Sequence, residues 1–175
     1  MIRRWAGPIG LAVLLAVVTW FVTLSRTPET LMATAVSRLG KAGMNSFAHS
    51  PLATSKSRAI VRPSPDLAYS SCPFDLSRGA LVVTVEPVPA LYWSLSVFQA
   101  NTDVALVRNN VETHGRPITV VVAQEGQVAP AGAEVVRVKG ARGVALIRVL
   151  VDDRAHFPAI DAARHRSTCR VLATG

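Results

Sequence analysis

The stretch that decides the fold lies at residues 61–76 and reads VRPSPDLAYSSCPFDL. Its two prolines each fix their own φ and push the preceding residue out of the helical region, so the lead-in at residues 62–66 is predicted to be extended and rigid. The carboxylate of Asp66 follows the second proline, a position from which it can accept hydrogen bonds from N–H groups just downstream. Side chains at residues 67–72 then alternate as they do in a β-strand. The stretch therefore predicts a rigid entry into a strand.

A period of two returns after residue 76 in short apolar runs separated by turn residues. The predicted strands cover residues 81–86, 92–99, 104–107, 118–122, 134–138 and 144–151. One of them is predicted to place Trp93, Leu95 and Val97 on an apolar face and Ser94, Ser96 and Phe98 on a mixed face. The segment KGARG at residues 139–143 is predicted to be a hairpin connection between the last two strands. Strands joined by turns, with no helix between them, favour an antiparallel sheet.

Two helices are predicted on either side of these strands. The segment TPE at residues 27–29 has the N-cap, the first-position proline and the early acid of a helix start, so a short amphipathic helix is expected there, followed by a loop at residues 45–56. A final helix is predicted to begin near Pro158. Cations favour the C-terminal end of a helix, where we place Arg164, Arg166 and Arg170.

The N-terminal segment is uncharged from residue 5 to residue 25. As a helix, such a run spans the ~30 Å of bilayer hydrocarbon, which takes about 20 residues. A cleaved secretory signal is the alternative, with Arg3 and Arg4 as its basic start and ATA at residues 33–35 as its cleavage site, but the apolar run exceeds the usual length of about 7–15 residues. We therefore expect a single-pass protein of the bacterial inner membrane, with its domain on the periplasmic side.

Four short patterns carry a resemblance to a known family. They are VRPSPDLAYS at residues 61–70, FDLS at 74–77, YWSL at 92–95 and NTD at 101–103. Through them the chain resembles, over roughly residues 45–172, the family catalogued as domain of unknown function 1254. The resemblance implies an α+β unit on an antiparallel sheet, followed in longer members by a jelly-roll domain catalogued as domain of unknown function 1214. It also implies a partner protein that carries this second domain as a separate polypeptide.

The whole chain is thus predicted to have three parts. Residues 1–26 form a cytoplasmic tail and transmembrane anchor, residues 27–60 an amphipathic helix and connector, and residues 61–175 an antiparallel-sheet domain with a C-terminal helix. The predicted fold class is α+β, an antiparallel sheet with few helices, preceded by one N-terminal transmembrane helix.

The sequence lacks the motifs that are typical of several kinds of chemistry. The net charge is +8, but no Lys/Arg run exceeds two residues, so nucleic acid is not an expected partner. There is no Gly-x-Ser-x-Gly, His-Glu-x-x-His, Cys-x-x-Cys or phosphate-binding glycine loop, and we expect no cofactor and no metal. We interpret His49, His156 and His165 as surface or capping residues. Whether the chain is an enzyme is left open.

The best candidate ligand site comprises Arg62, Asp66 and Tyr69, with Tyr92 and Asn101 as neighbours across the sheet. An arginine, a carboxylate and a phenol on one rigid segment suit an anionic or saccharide-like ligand. Each residue also has a structural interpretation: Asp66 as a turn acceptor, Arg62 as its ion-pair partner, and the two tyrosines as core aromatics with an exposed hydroxyl.

The two cysteines, Cys72 and Cys169, have two interpretations that the sequence leaves open. They form a disulfide between the central stretch and the final helix in an oxidising compartment, or they remain two buried thiols.

The sequence also leaves three hypotheses for the function of the protein. The first is a membrane-anchored envelope module that binds or assembles with a partner protein, the second is a ligand-binding or catalytic half-site for a small or saccharide-like molecule, and the third is a domain that rests on anionic lipid through its surplus of arginine.

Overall fold

A computed structural model of the chain describes residues 2–54, 57 and 63–172, with side chains from residue 5 onward. The helices are α1 (Ile2–Leu39) and α2 (Phe157–Arg164). The strands are β1 (Ala48–His49), β2 (Leu67–Asp75), β3 (Leu81–Val85), β4 (Trp93–Phe98), β5 (Val104–Asn109), β6 (Ile118–Ala123), β7 (Val135–Arg137), β8 (Arg142–Leu150) and β9 (Thr168–Val171).

These strands form two sheets. Sheet A has five strands in the order β1-β2-β8-β4-β5, and sheet B has four in the order β7-β6-β3-β9. All pairs are antiparallel except β6 with β7, which is parallel. The predicted fold class, α+β with mainly antiparallel sheets behind one long apolar helix, is confirmed.

The inner faces of both sheets share one hydrophobic core. Alternation along β4 buries Trp93, Leu95 and Val97, as the sequence predicts, and these residues belong to the same cluster as Val83 and Val120 of sheet B. A disulfide also joins the two sheets, from Cys72 on β2 to Cys169 on β9, with the Cα atoms 6.5 Å apart. The sheets are therefore held together by apolar packing and by one covalent link.

The predicted hairpin at residues 139–143 is wrong. Its two flanking strands lie in different sheets, because β7 pairs with β6 in sheet B whereas β8 pairs with β2 and β4 in sheet A. The glycine-containing segment, in which Gly140 has a φ of 79°, therefore carries the chain from one sheet to the other. The alternation of side chains shows that both segments are strands, but it carries no information on which strand each one pairs with.

The predicted final helix is too long. It ends at Arg164, so Arg166 and Arg170 lie beyond it, and the chain turns into strand β9, which pairs with β3. The period-two pattern of residues 168–171, in which Cys169 is buried and its two neighbours are exposed, decides in favour of a strand. Cys169 is consequently on a strand and not on the final helix.

No separate helix begins at residue 27, because Thr27 and Pro28 lie inside the continuous helix α1. The hydroxyl of Thr27 donates to the carbonyl of Thr23 at 2.6 Å, and does not cap a new helix. Near its C-terminal end α1 buries Met32 and Val36 against Val144 of sheet A. In the predicted loop that follows, the two residues of β1 add an edge strand to β2.

Removing the disulfide is expected to lower the free energy of unfolding. The bridge closes a loop of 97 residues, for which the chain-entropy model gives a contribution of roughly 4–5 kcal/mol. In urea unfolding of the full-length chain in detergent, followed by tryptophan fluorescence, the C72A/C169A variant should have a lower midpoint than the wild type. A reductant should lower the wild-type midpoint and leave that of the variant unchanged. Equal midpoints for the two oxidised proteins would contradict this expectation.

Candidate functional site

One buried cation, Arg164 of α2, organises the part of the structure where α2, β1 and β2 meet. The residue is 1% exposed. Its guanidinium donates to the carbonyl oxygens of Tyr69 at 2.6 Å and Ser50 at 2.7 Å, and it forms an ion pair with Asp161 at 2.5 Å. The ring of Phe157 lies 5.7 Å from its central carbon. These contacts satisfy the buried charge and fix α2 against the edge of sheet A.

Two histidines complete this cluster. His49 of β1 stacks on His165, with the ring centroids 3.9 Å apart, and its Nδ1 is 2.8 Å from the hydroxyl oxygen of Ser70. The pKa of His49 is lowered to about 4, first because burial disfavours the charged ring and then because His165 and Arg164 add positive charge, while Asp161 acts in the opposite direction. His49 is therefore neutral at physiological pH.

This cluster does not have the geometry of a catalytic site. Ser70 is fully buried, and its hydroxyl lies within hydrogen-bond distance of both His49 and Arg164. A nucleophile needs access to its substrate, which this serine lacks. Within the described ranges, no group of three or more His, Cys, Asp or Glu side chains is arranged to hold a metal ion. We therefore assign the cluster of Arg164, Asp161, His49, His165 and Ser70 a structural role.

A second feature, which we call the anchor groove, lies between α1 and the outer face of sheet A. It encloses about 520 Å³, which lies within the range of about 300–1,000 Å³ usual for ligand sites. Met32, Ala35 and Leu39 of α1 form one wall. On the sheet side the lining residues are Tyr69, Ser71, Phe98, Val144, Leu146 and Arg148.

Arg148 is the one charged residue that lines the anchor groove in the part of the chain that the structure describes. Its Nη2 donates to the hydroxyl of Ser96 at 2.9 Å, but its Nε is buried and has no hydrogen-bond partner among the described residues. The hydroxyl of Ser94, which is the cross-strand neighbour of Arg148, is also buried without a partner there. Buried polar groups are nearly always hydrogen-bonded, so two such atoms side by side distinguish this part of sheet A from its apolar surroundings.

The structure brings together only some of the predicted site residues. Tyr69 lines the anchor groove and lies directly opposite Arg148, and its hydroxyl accepts the N–H of Ser64 at 3.0 Å. Asp66 and Tyr92 lie at one end of sheet A, where their carbonyl oxygens accept the N–H groups of Val151 and Leu150.

Asn101, another predicted residue, does not join Tyr69. Asn101 follows the end of β4 whereas Tyr92 precedes its start, so the two lie at opposite ends of a six-residue strand, roughly 20 Å apart at the usual rise per residue. The amide of Asn101 bonds Asp103 within its own turn. Arg62 lies outside the described residues.

The sequence did not single out Arg148, although it contains a signal for it. The segment VALIRVL at residues 144–150 is apolar except for this arginine, and a charge at an interior position of such a strand indicates a special environment. No comparable signal distinguishes Arg164 from the exposed Arg166 two residues later. The stacking of His49 on His165 depends on contacts across the fold and leaves no local pattern.

The architecture defines a class of protein: an α+β domain of two sheets that follows one long apolar helix. Within this class, the chain belongs to the family described as Protein of unknown function (DUF1254), whose model matches residues 44–171. The match begins before residue 61, in agreement with the pairing of β1 to β2. No curated protein matches the chain.

Two solved structures resemble the fold. The VPA0106 protein of Vibrio parahaemolyticus has a TM-score of 0.59 at 14% identity, over 83% of this chain and 37% of that chain. An uncharacterised protein from Burkholderia cenocepacia has a TM-score of 0.46 at 18% identity, over 63% of this chain and 32% of that one. The chain thus spans little more than a third of the Vibrio protein.

Replacing Arg164 by Met is expected to destabilise the protein strongly. Methionine fills similar space but leaves the carbonyl oxygens of Tyr69 and Ser50 without their donor, which costs about 1–3 kcal/mol for each buried acceptor left unpaired. Urea unfolding of the full-length chain in detergent measures the change. The exposed Arg166, replaced by Met in the same way, is the matched control and should shift stability by no more than about 0.5 kcal/mol. Similar losses in both variants would refute the assigned role.

Protein stability is expected to fall as the pH drops from about 6.5 toward 4. The pKa of His49 is 6.5 in the unfolded chain and about 4 in the folded one. Between these values the unfolded state binds more protons, so the contribution of His49 to the free energy of unfolding is fully present above pH 6.5 and is lost as the folded state also titrates.

The His49→Asn variant, which keeps a hydrogen-bonding group toward Ser70, tests this by urea unfolding across the same pH range. Its stability should vary less with pH than that of the wild type, whereas the exposed His114, changed to Asn, should leave the wild-type slope intact. Asp75 does not obscure the effect, because Ser77 and Arg142 lower its pKa to about 2. A His49→Asn slope equal to that of the wild type would exclude His49 as the cause.

Proposed function

We propose that this chain is a single-pass protein of the bacterial inner membrane whose domain lies on the periplasmic side and acts there as a binding or assembly module. The observation that carries the proposal is the continuity of α1. An 18-residue window of this helix has a mean hydropathy of 2.1 and is 0% buried, while Met32 and Val36 of the same helix pack on sheet A. The apolar segment and the residues that contact the domain thus lie on one continuous helix, and a bilayer would cover the exposed apolar side chains of that helix.

Two further features support this placement. A disulfide joins Cys72 to Cys169, and such bridges persist in oxidising compartments such as the periplasm. Cleavage after Ala35 would cut α1 between Met32 and Val36, the two helix residues that are buried against Val144. A retained anchor with Arg3 and Arg4 in the cytoplasm agrees with both features and with the rule that short basic tails stay inside.

The partner that we propose is a protein carrying the second domain that accompanies this one in longer members of the family. Its surface on this chain is an apolar patch beside the edge strand β5, made up of Leu91, Tyr92 and Val111. Leu91 is 73% exposed and Val111 is 67% exposed. The side chain of Asn110 donates to the carbonyl of Leu91 at 3.2 Å and so holds the two segments together. Contiguous exposed apolar side chains typically mark interaction surfaces.

A ligand-binding role is the second candidate function, and the buried, unpartnered Nε of Arg148 favours it. The predicted set of Arg62, Asp66 and Tyr69 remains a proposal for a small or saccharide-like ligand. Within it, Tyr69 is the residue that borders the anchor groove.

The membrane placement predicts that the protein resists carbonate extraction from membranes and keeps its full mass of 18.6 kDa. A protease added to spheroplasts should digest the domain, while the same protease added to intact cells should not. A reporter enzyme that works only in the cytoplasm is the control and should be inactive when fused after residue 175. A soluble product that lacks residues 1–35 would overturn the proposal.

The partner proposal predicts that affinity purification in mild detergent recovers a second chain in stoichiometric amount. Leu91→Asp combined with Val111→Asp should reduce this recovery at least about tenfold, because charges introduced into an apolar interface are left unpaired when buried. The control is Val128→Asp, at a site that is 86% exposed and away from the patch. Recovery of no partner, or equal recovery in all variants, would contradict the proposal.

A further inference from the structure

We propose that the anchor groove binds an amphiphile that has an anionic head group and an apolar chain, with Arg148 as the residue that recognises the anion. The inference goes beyond the membrane placement proposed above and does not depend on which side of the membrane the domain occupies. It is carried by the charge of Arg148, which no carboxylate among the described residues neutralises, by the chemistry of the walls and by the helix that forms one of them.

Arg148 gives the groove a positive charge that the described residues do not neutralise. None of the ion pairs formed among them includes Arg148, and its single hydrogen bond goes to the neutral hydroxyl of Ser96. Arg164, in contrast, has its own carboxylate in Asp161. A partly buried guanidinium without a counter-charge favours an anion, and its planar fork matches a carboxylate or a phosphate.

A row of polar side chains crosses sheet A at this point. Tyr69 on β2, Arg148 on β8 and Ser94 on β4 are consecutive cross-strand neighbours and therefore project from the same face. The buried Oγ of Ser94 lacks a partner among the described residues, as does Nε of Arg148. Of these residues, Tyr69 and Arg148 line the groove, and an anion bound there would accept hydrogen bonds from the guanidinium of Arg148.

Apart from Ser50 and Ser71, the rest of the groove is lined by apolar residues and extends away from the polar row. Two residues further along β8, Leu146 lines the groove, and beyond it Val144 and Phe98 face Met32 and Leu39 of α1. A free inorganic anion would leave these walls exposed to water, whereas an apolar chain attached to the anion would cover them. A groove that combines one cation with apolar walls therefore favours the binding of an amphiphile.

The helix that forms the groove wall also explains how such a ligand arrives. Leu24, near the end of the apolar run, precedes Met32 by eight residues in the same helix, about 12 Å along its axis. The groove thus begins within a few helical turns of the segment that we place in the bilayer. An amphiphile can reach it from the membrane surface by moving along α1.

Photolabelling tests the proposal on the full-length chain in nanodiscs of zwitterionic lipid. The probes are a diazirine analogue of myristic acid, the matching analogue of myristyl alcohol, and inorganic phosphate as an unlabelled competitor. The acid should label peptides that line the groove with saturation, and the alcohol, which has the same chain without the charge, should label them at least about tenfold less well. Phosphate at concentrations equal to the acid should not displace it.

Three variants locate the head and the chain. Arg148→Gln keeps a donor for Ser96 but removes the charge, and should weaken labelling by the acid about tenfold or more while leaving the alcohol unchanged. Ala35→Trp fills the groove from the helix side and should reduce labelling by both probes. Arg142→Gln, on the same strand but with a side chain that is 65% exposed, removes an equal charge outside the groove and should have no effect.

Each contrary outcome overturns a defined part of the inference. Equal labelling by acid and alcohol, unchanged by Arg148→Gln, would exclude Arg148 as the head-group site. Displacement by an equal concentration of phosphate would show an anion site without a chain site. Absence of groove labelling by either probe would refute ligand binding altogether, and it would leave the membrane placement untouched because carbonate extraction and protease accessibility test that separately.

Discussion

The antiparallel pairing of β2 with β8 is the constraint on which the rest of the structure depends. It runs over nine residues, from Leu67 opposite Leu150 to Asp75 opposite Arg142. Because successive side chains of a strand project to opposite faces, this single register decides which residues enter the core and which line the anchor groove. A slip of one residue would move Phe74 out of the core and replace Tyr69 beside Arg148 by a neighbour.

Strand β2 also connects the domain to its other parts. On its inner face Cys72 bridges to β9 and so ties sheet A to sheet B. Its backbone carbonyl at Tyr69 accepts from Arg164, which fixes α2, and its outer edge pairs with β1. Strand β2 thus contacts β8, β1, α2 and, through the disulfide, sheet B. Loss of any one of these contacts is expected to weaken the others, because they act on the same strand.

The outer face of sheet A shows how a fold built around one core can also carry a site. The inner face is packed against sheet B, and its residues satisfy one another through apolar contact. The outer face packs instead on a helix that covers it incompletely, which leaves the anchor groove and the unpartnered atoms of Arg148 and Ser94. The long helix α1 consequently combines an exposed apolar segment with one wall of the groove.

The sequence alone determined the long apolar helix, the existence of most strands, the buried face of β4 and the fold class. These features follow from local composition and from the period of side chains along the chain, which depend on neighbouring residues only. The two-proline segment likewise predicts the strand that follows it, but the extended lead-in predicted for residues 62–66 is wrong at Pro65 and Asp66, which form a turn. Tyr69 was chosen for its type and spacing, and it does line the anchor groove.

Only the tertiary structure decided which strands pair, and this is why the hairpin prediction at residues 139–143 was wrong: a strand pattern does not identify its partner. It also decided that the chain after Arg166 forms β9, because the pairing with β3 and the burial of Cys169 are contacts made across the fold. The different environments of Arg148 and Arg164 have the same origin. In the sequence both are arginines, and only contacts made across the fold give Arg164 its two carbonyl acceptors and leave Arg148 partly buried without an ion-pair partner among the described residues.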